Sequence, residues 1–390
     1  MKTEFLDNQI LYNRLFLQAV NDKFYRCREI SDLLKDTDYL ISVILDCLQQ
    51  PGMAVPGFDG ETAEMWYRYS ELAAVFLEKA HAEIYQASPV RRIHIPKSSG
   101  KIRYIGIPNL SDRILQKAIA RALEPVVEAD FLPSNFGYRP GLGSHQAVSS
   151  LTAAIEQQGF LYILKSDIAS FFDTVNHDIL FEILNRRIDD PRLIRTISAL
   201  IKAETYFNEK LHANEIGLCQ GSCLSPLMSN IYLHLLDVEV SKILMNIPGH
   251  YARYCDDFIV LTHSANEAAA IRNEIEVFLG KRLKLALSTE PHKSFITHIN
   301  QGVTFLGCTI IRERDRTGNF AVKRRIPKSR QRIWRQRIDD LLTGGLTQAE
   351  CTETIQPMLM GIQAQYQLSK TDTTMRKLTE RVIYPQRKQR

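Results

Sequence analysis

The stretch HYARYCDDFIVLTHS, residues 250–264, sets Asp256 and Asp257 side by side between two β-prone halves, YARYC and FIVLT, with no Gly or Pro between them. The pattern predicts a tight hairpin with acids at its tip. Adjacent carboxylates repel each other and favour neither strand formation nor packing, so placing them between apolar runs calls for a compensating cation. Exposed turn acids are the plainer alternative. Upstream, LYILKSDIASFFDTV, residues 161–175, begins as an apolar strand and delivers Asp167 near its end, where a chain leaves a sheet. A lone Asp there is ordinarily a turn or cap residue. Downstream, Ser264 caps a helix with Glu267 in the capping-box position, Gly280 ends it, and RLKLALS, residues 282–288, alternates as a third strand. Strand, helix, hairpin, helix and strand make a split βαβ sheet of the α+β class. Such a sheet brings the end of its first strand beside the hairpin tip, converging Asp167 with Asp256 and Asp257. Three carboxylates at an open face suit two divalent ions about 3.5–4 Å apart, one activating an attacking hydroxyl and one holding the leaving phosphates. An oxygen-rich site expects Mg²⁺, with Mn²⁺ as its substitute.

Working outward, residues 1–50 carry helical periodicity that QQPGMAVPGFDG, residues 49–60, interrupts. A second helix is expected over Thr62–Ala87. RRIHIPKSSGKIRYIGIP, residues 91–108, predicts a basic hairpin turning at Ser98-Ser99-Gly100. SDRILQKAIARALEPVVEADF, residues 111–131, predicts a helix capped by Ser111 or Asp112 with a basic outer face. The segment KRRIPKSRQRIWRQRIDDLL, residues 323–342, predicts a basic helix. Runs of charge are often no more than solvated faces.

Composition sets wide bounds. With 390 residues, 45% of them hydrophobic, the chain can bury a large core in two or three subdomains, and its net charge of +5 leans only weakly toward polyanions. The seven cysteines are scattered without a CxxC pair, which fits a reducing cytoplasm. Cys219 and Cys223 have no second Cys/His pair at zinc-ligand spacing. The N-terminus breaks its apolar positions with Asp, Glu and Asn, so neither a signal peptide nor a membrane span is expected.

Eight motifs in order resemble the reverse transcriptases of bacterial group II introns and their stand-alone bacterial relatives. They are PGFDGET (56–62), the block from Ser88 to Pro125, NFGYRPGLGSHQAV (135–148), DIASFFDTVNHDIL (167–180), QGSCLSPLMSNIYLHLLD (220–237), RYCDDF (253–258), LSTEPHKS (287–294) and TFLG (304–307). An xxDD motif alone is common; the ordered series is specific. The resemblance implies a right-hand polymerase with an N-terminal helical extension (1–60), fingers (61–160), palm (161–312) and a basic helical thumb (313–390), in which IQPMLMGIQAQYQLS, residues 355–369, is similar to the group II thumb. It implies an RNA-directed DNA polymerase whose partners are an RNA template, a DNA primer or product and dNTPs, with room for a partner protein or a homo-oligomer.

Site roles follow from the same resemblance. Asp167, Asp256 and Asp257 would bind the metals with the Ile168 carbonyl assisting, and Lys293 would protonate the departing pyrophosphate. Lys97 and Arg103 would reach the triphosphate from the fingers hairpin. Gln220 and Gly221 would border the nascent base pair, Gly221 letting backbone approach substrate. Phe172 would lie under the incoming sugar, although the residues themselves leave open whether Phe171 or Phe172 faces inward. Phe305, Leu306 and Gly307 would form the primer grip. Lys323, Arg324, Arg325, Arg332 and Arg335 would track the template–primer backbone.

Some positions depart from the family. Cys255 stands where Ala is common, Tyr104 where Pro follows the fingers Arg, and Ser222-Cys223 where Gly-Pro is common. No His/Cys-rich nuclease tail follows the thumb, which points to a stand-alone enzyme of the kind tied to a dedicated non-coding RNA, a CRISPR locus or antiviral defence. Two other readings compete: template-independent or protein-templated nucleotide addition, and a non-catalytic RNA-binding scaffold, whose mark would be loss of a triad aspartate. None is lost.

Overall fold

A computed structural model describes residues 2–96, 102–314, 318–343, 348–366, 377 and 379. The chain forms two compact units, each assembled from separated segments: Met1–Arg139 with Asp167–Ser241 and Glu274–Thr289, and Pro140–Ser166 with Lys242–Asn273 and Glu290–Arg390. Eleven strands among the described residues are numbered here in chain order: β1 Val90–Pro96, β2 Ile102–Ile107, β3 Tyr162–Asp167, β4 Thr205–Phe207, β5 Lys210–His212, β6 Gly249–Tyr254, β7 Asp257–Thr262, β8 Phe295–His298, β9 Val303–Phe305, β10 Cys308–Arg314 and β11 Phe320–Arg325.

The first unit is mostly helical and carries the sheet β2-β1-β4-β5. The β1–β2 hairpin forms as expected, Arg91 opposite Ile107 and Pro96 opposite Ile102, while its turn, with Lys97, lies outside the described residues. The helix expected over Thr62–Ala87 is two helices, Ala63–Arg68 and Ser70–His81. Thr62 caps the first by accepting from Met65 N–H, but Tyr69 goes extended, and the break lets Trp66 and Phe76 meet at 5.9 Å. The next helix starts earlier than expected, at Leu110, with Asn109 at its N-cap position. Asn109 instead spends its side-chain oxygen on the N–H groups of Phe58 and Asp59. Asp112 is no cap either; it is buried and accepts from Tyr85 O–H at 2.7 Å and Ser88 N–H at 3.1 Å.

On that helix, Leu110–Glu128, one basic residue turns inward instead of joining the expected basic outer face. Arg113 is only 4% exposed and donates to the carbonyls of Gly52 and Val55 at 2.9 and 2.7 Å. Arg121 pairs with Asp46, and Arg91 on β1 donates to the Pro56 carbonyl. Charge in this stretch therefore fastens the Pro/Gly-rich segment of residues 50–60, whose irregular backbone leaves carbonyls that need donors.

The second unit holds two sheets, β6-β7-β3-β8 and β11-β10-β9. Its hairpin β6–β7 runs in register from Gly249 opposite Thr262 to Tyr254 opposite Asp257, so Cys255 and Asp256 form the turn. Cys255 has φ 58°, a sign that the primed hairpin turns require. The capping box after β7 is present: Glu267 N–H donates to Ser264 Oγ at 3.2 Å and Ser264 N–H to Glu267 Oε2 at 2.9 Å.

Three expectations around these sheets fail for identifiable reasons. The helix Ala265–Phe278 does not stop at Gly280 but widens into a π turn, Leu279–Leu283, ended by Lys284 at φ 54°. RLKLALS is accordingly not a strand. Its alternation is real, with Leu283, Leu285 and Leu287 buried, but pairing is limited to one bridge, Leu287 with Ile168. The outer position beside β3 is taken by β8 instead, Lys165 opposite Phe295 and Tyr162 opposite His298. Finally, Lys323, Arg324 and Arg325 belong to β11, and the basic helix begins only at Lys328, running to Thr343, after Pro327 has barred an earlier start.

Candidate active site

The acidic pair sits at the tip of β6–β7 because the two flanking halves bury their apolar residues: Tyr251, Ala252, Phe258, Ile259, Val260 and Leu261 are each at most 5% exposed. Asp256 and Asp257 are half-buried. Beneath the turn, Arg253 is the largest fully buried side chain among the described residues and donates from Nη1 to the Cys255 carbonyl at 3.0 Å. A buried guanidinium bound to a turn carbonyl holds that turn in place.

Beside β7 runs β3. Leu161 N–H donates to the Thr262 carbonyl, and at the other end Lys165 meets Asp257, so the strands are antiparallel. Lys165 Nζ lies 2.9 and 3.1 Å from the two carboxylate oxygens of Asp257, with side chains 12% and 26% exposed. Two residues on, β3 ends at Asp167, and strand alternation puts Asp167 and Lys165 on the same side of the strand. Among the described residues, no group of three or more His, Cys, Asp or Glu side chains is gathered as a metal cluster.

Ile168 is fully buried, and its bridge to Leu287 uses the Asp167 carbonyl and the Ala169 N–H. The Ile168 carbonyl is not used by that bridge. Lys293 is half-buried in the turn leading into β8, next to Ser294, whose Oγ lies 3.1 Å from Ser166 Oγ on β3.

In the first unit, Phe171 and Phe172 separate. Phe171 is 1% exposed and packs in the core, whereas Phe172 lines a cavity of about 250 Å³ together with Arg92, Tyr104, Gly217, Cys219 and Gln220. The two phenylalanines start the short helix Phe171–Thr174 after Ser170 turns at φ 46°, so strand alternation does not govern them. Arg103 is exposed on β2, opposite Ile95.

Gln220 accepts from Gly106 N–H through its carbonyl at 2.8 Å. Gly221, at φ 123°, has a local reason to be glycine: a Cβ would collide with the Gly106 carbonyl oxygen. Gly106 is constrained in turn, because a Cβ there would strike Cys219 Sγ. Burial pushes the Cys219 thiol up to about 12, as befits a packing residue. Gln116 anchors the same loop, its Oε1 accepting from Ser222 Oγ–H and Cys223 N–H.

Leu306 and Gly307 form the turn between β9 and β10, with Phe305 opposite Cys308 and both turn residues at positive φ, 49° and 78°. Phe305 is fully buried beneath Lys165, whose Nζ stands 5.6 Å from the ring centre. Tyr366 O–H donates to the Gly307 carbonyl at 2.7 Å. Of the basic residues, Lys323 and Arg325 both pair with Glu313, holding its carboxyl below the usual range, and Arg324 donates to Thr152 Oγ1. Arg332 is exposed and Arg335 half-buried on the helix Lys328–Thr343.

Lys165, Arg253 and Gln116 escaped the sequence reading. Lys165 and Arg253 had a signal, each being a lone cation inside an apolar strand next to an aspartate of interest. Gln116 had none, since its partners are more than a hundred residues away.

The model of the reverse transcriptase family, the RNA-dependent DNA polymerases, matches residues 95–310, and the chain belongs to that family. Its enzymatic activity is RNA-directed DNA polymerisation. Within the family it is group II intron-like. Protein YkfC of Escherichia coli (strain K12) is 30% identical over 379 residues, a match covering 86% of this chain and 99% of that protein. The group II intron-encoded protein LtrA of Lactococcus lactis subsp. cremoris is 29% identical over 287 residues, covering 58% of this chain and 47% of LtrA. A putative COX1/OXI3 intron 2 protein of Saccharomyces cerevisiae is 28% identical over 285 residues, covering 58% of this chain and 32% of its own length. The chain thus spans about half or less of the intron-encoded relatives. No helix among the described residues is long and apolar enough to cross a membrane.

Proposed function

We propose that the enzyme adds dNTPs to a 3′-hydroxyl by a two-metal mechanism, with Asp167, Asp256 and Asp257 as the ligands and Mg²⁺ as the metal. One observation carries the reading: the acidic pair tops a hairpin whose second strand lies beside the strand that ends on Asp167. The donor set fits a hard dication, since its side-chain atoms are carboxylate oxygens and Asp257 already takes a cation, the Lys165 ammonium. When bound, the metal ions would activate the hydroxyl and stabilise charge on the leaving phosphates.

The chain's own residues supply the rest. Lys97 and Arg103 neutralise the triphosphate, and Lys293 gives a proton to the departing pyrophosphate. Gln220 borders the nascent pair. The Phe305-Leu306-Gly307 turn seats the primer, while Arg332 and Arg335, with Lys323, Arg324 and Arg325, face the template–primer backbone. The template proposed is a dedicated non-coding RNA copied in antiviral defence; sequencing the RNA and DNA that co-purify from cells tests it, and a random RNA population would refute it.

Phe172 selects the sugar. An apolar pocket alone discriminates poorly against an added hydroxyl, roughly a hundredfold, so the choice of dNTP needs a ring held where the 2′-hydroxyl would go. The placement of Phe172 on the cavity and Phe171 in the core supports that assignment. Phe172→Ala is expected to raise ribonucleotide use, read as the ratio of kcat/KM for a matched dNTP and rNTP. An unchanged ratio in a folded, active variant rejects the gate; a wild type that already prefers rNTP rejects the whole reading.

A further inference from the structure

Lys165 is the one charged residue of β3 before its terminal Asp167, and its place is unusual for a lysine. Its side chain is 12% exposed, its ammonium is shared between both oxygens of Asp257, and its other neighbour is the face of Phe305, 5.6 Å away. A lysine ammonium is strongly hydrated and costs free energy to bury, which a bidentate carboxylate and an aromatic face together offset. We infer that Lys165 is a built-in counter-cation that holds Asp257 whenever the site is without metal and that must let go before a dication can take both oxygens. This rests on the proposed metal role of Asp257.

Two consequences follow from the geometry. An ammonium at 2.9 Å and a dication cannot share the same carboxylate oxygens without mutual repulsion, so Lys165 competes directly with metal. It also has somewhere to go. The Phe305 ring already faces it, so on release the charge can settle over that ring without full exposure to water. Lys165 is thus a positioning residue that sets the metal concentration at which the site fills, and it links filling to the turn residue Phe305.

The test measures metal binding rather than turnover. Mn²⁺ is titrated into the full-length protein without nucleic acid and followed by loss of the free-ion electron paramagnetic resonance signal, for wild type, Lys165→Met, Lys165→Gln and Lys165→Arg. Removal of the charge is expected to tighten Mn²⁺ binding about tenfold, a shift of about 1.4 kcal/mol, in both neutral variants, with Lys165→Arg close to wild type. Unchanged or weaker binding in folded neutral variants overturns the inference. Wild type supplies a second readout that needs no substitution at 165: acylation of the Lys165 amine, scored by mass spectrometry, should rise on adding Mn²⁺ and stay flat in Asp257→Asn. No rise with Mn²⁺ bound overturns it as well. If wild type binds no Mn²⁺ that Asp256→Asn and Asp257→Asn abolish, the metal-site reading itself fails, and the two failures are told apart.

Discussion

Two stretches of this chain, residues 91–121 and 323–337, each carry eight arginines and lysines, yet they place them differently. Between residues 91 and 121, Arg91, Arg113 and Arg121 turn toward protein and hold the Pro/Gly-rich segment and the helix before it through backbone carbonyls and one ion pair. Between 323 and 337 the charges lie on a strand, where Lys323 and Arg325 pair with Glu313 and Arg324 donates to Thr152, and on a helix that keeps Arg332 exposed. Charge density alone does not separate a structural cation from one that meets a polyanion. The deciding quantity is the supply of unpaired acceptors nearby: an irregular segment presents carbonyls, and a regular helix does not.

Among the protein-facing arginines, Arg113 is the most deeply buried, at 4% exposed. Arg113→Ala removes charged hydrogen bonds to two carbonyls and is expected to lower unfolding free energy by roughly 3–6 kcal/mol, at about 1.5–3 kcal/mol for each such bond. Chemical denaturation measures it; a drop under about 1 kcal/mol would place Arg113 with the solvated charges.

Its neighbour Asp112 tests the same burial through pH. Desolvation raises its carboxyl to about 6, against the opposing hydrogen bonds from Tyr85 and Ser88. A carboxyl raised in the folded state contributes stability that is whole below the unfolded value near 3.8 and lost as pH climbs to about 6. Relative to Asp112→Asn, wild type should therefore lose about 3 kcal/mol between those pH values. Parallel stability–pH curves for the two proteins would deny Asp112 this role.

The exposed stretch should behave in the contrary way. Arg332→Ala with Arg335→Ala is expected to shift unfolding free energy by less than about 0.5 kcal/mol, while weakening template–primer binding and flattening its salt dependence by up to about one logarithmic unit for each phosphate no longer neutralised. An unchanged slope in a binding titration across salt concentrations would make these arginines a solvated helix face.

The same contrast governs what was legible in the sequence. Local rules sufficed for the hairpin, its acidic tip and the capping box of Ser264 and Glu267, because each is decided by residues within a few positions. They failed where a distant partner intervened. Asn109 was drawn away from capping by the backbone of Phe58 and Asp59, and Asp112 by Tyr85. RLKLALS alternates like a strand, yet the left-handed Lys284 diverts it and FITH of β8 takes the place beside β3. Of the site, the aspartates and Phe172 were named from motifs, whereas Lys165 and Arg253 emerged only once the strands were side by side.

At the heart of the proposed function is a division of labour, in which the carboxylates at the hairpin tip act on chemistry and the basic surfaces act on affinity. Asp256→Ala with Asp257→Ala separates the two when Mg²⁺-dependent dNTP incorporation on an RNA template and RNA binding are measured on the same preparation. Incorporation is expected to fall by about three orders of magnitude or more while RNA affinity stays within about twofold of wild type. Undiminished synthesis by the double variant would contradict it.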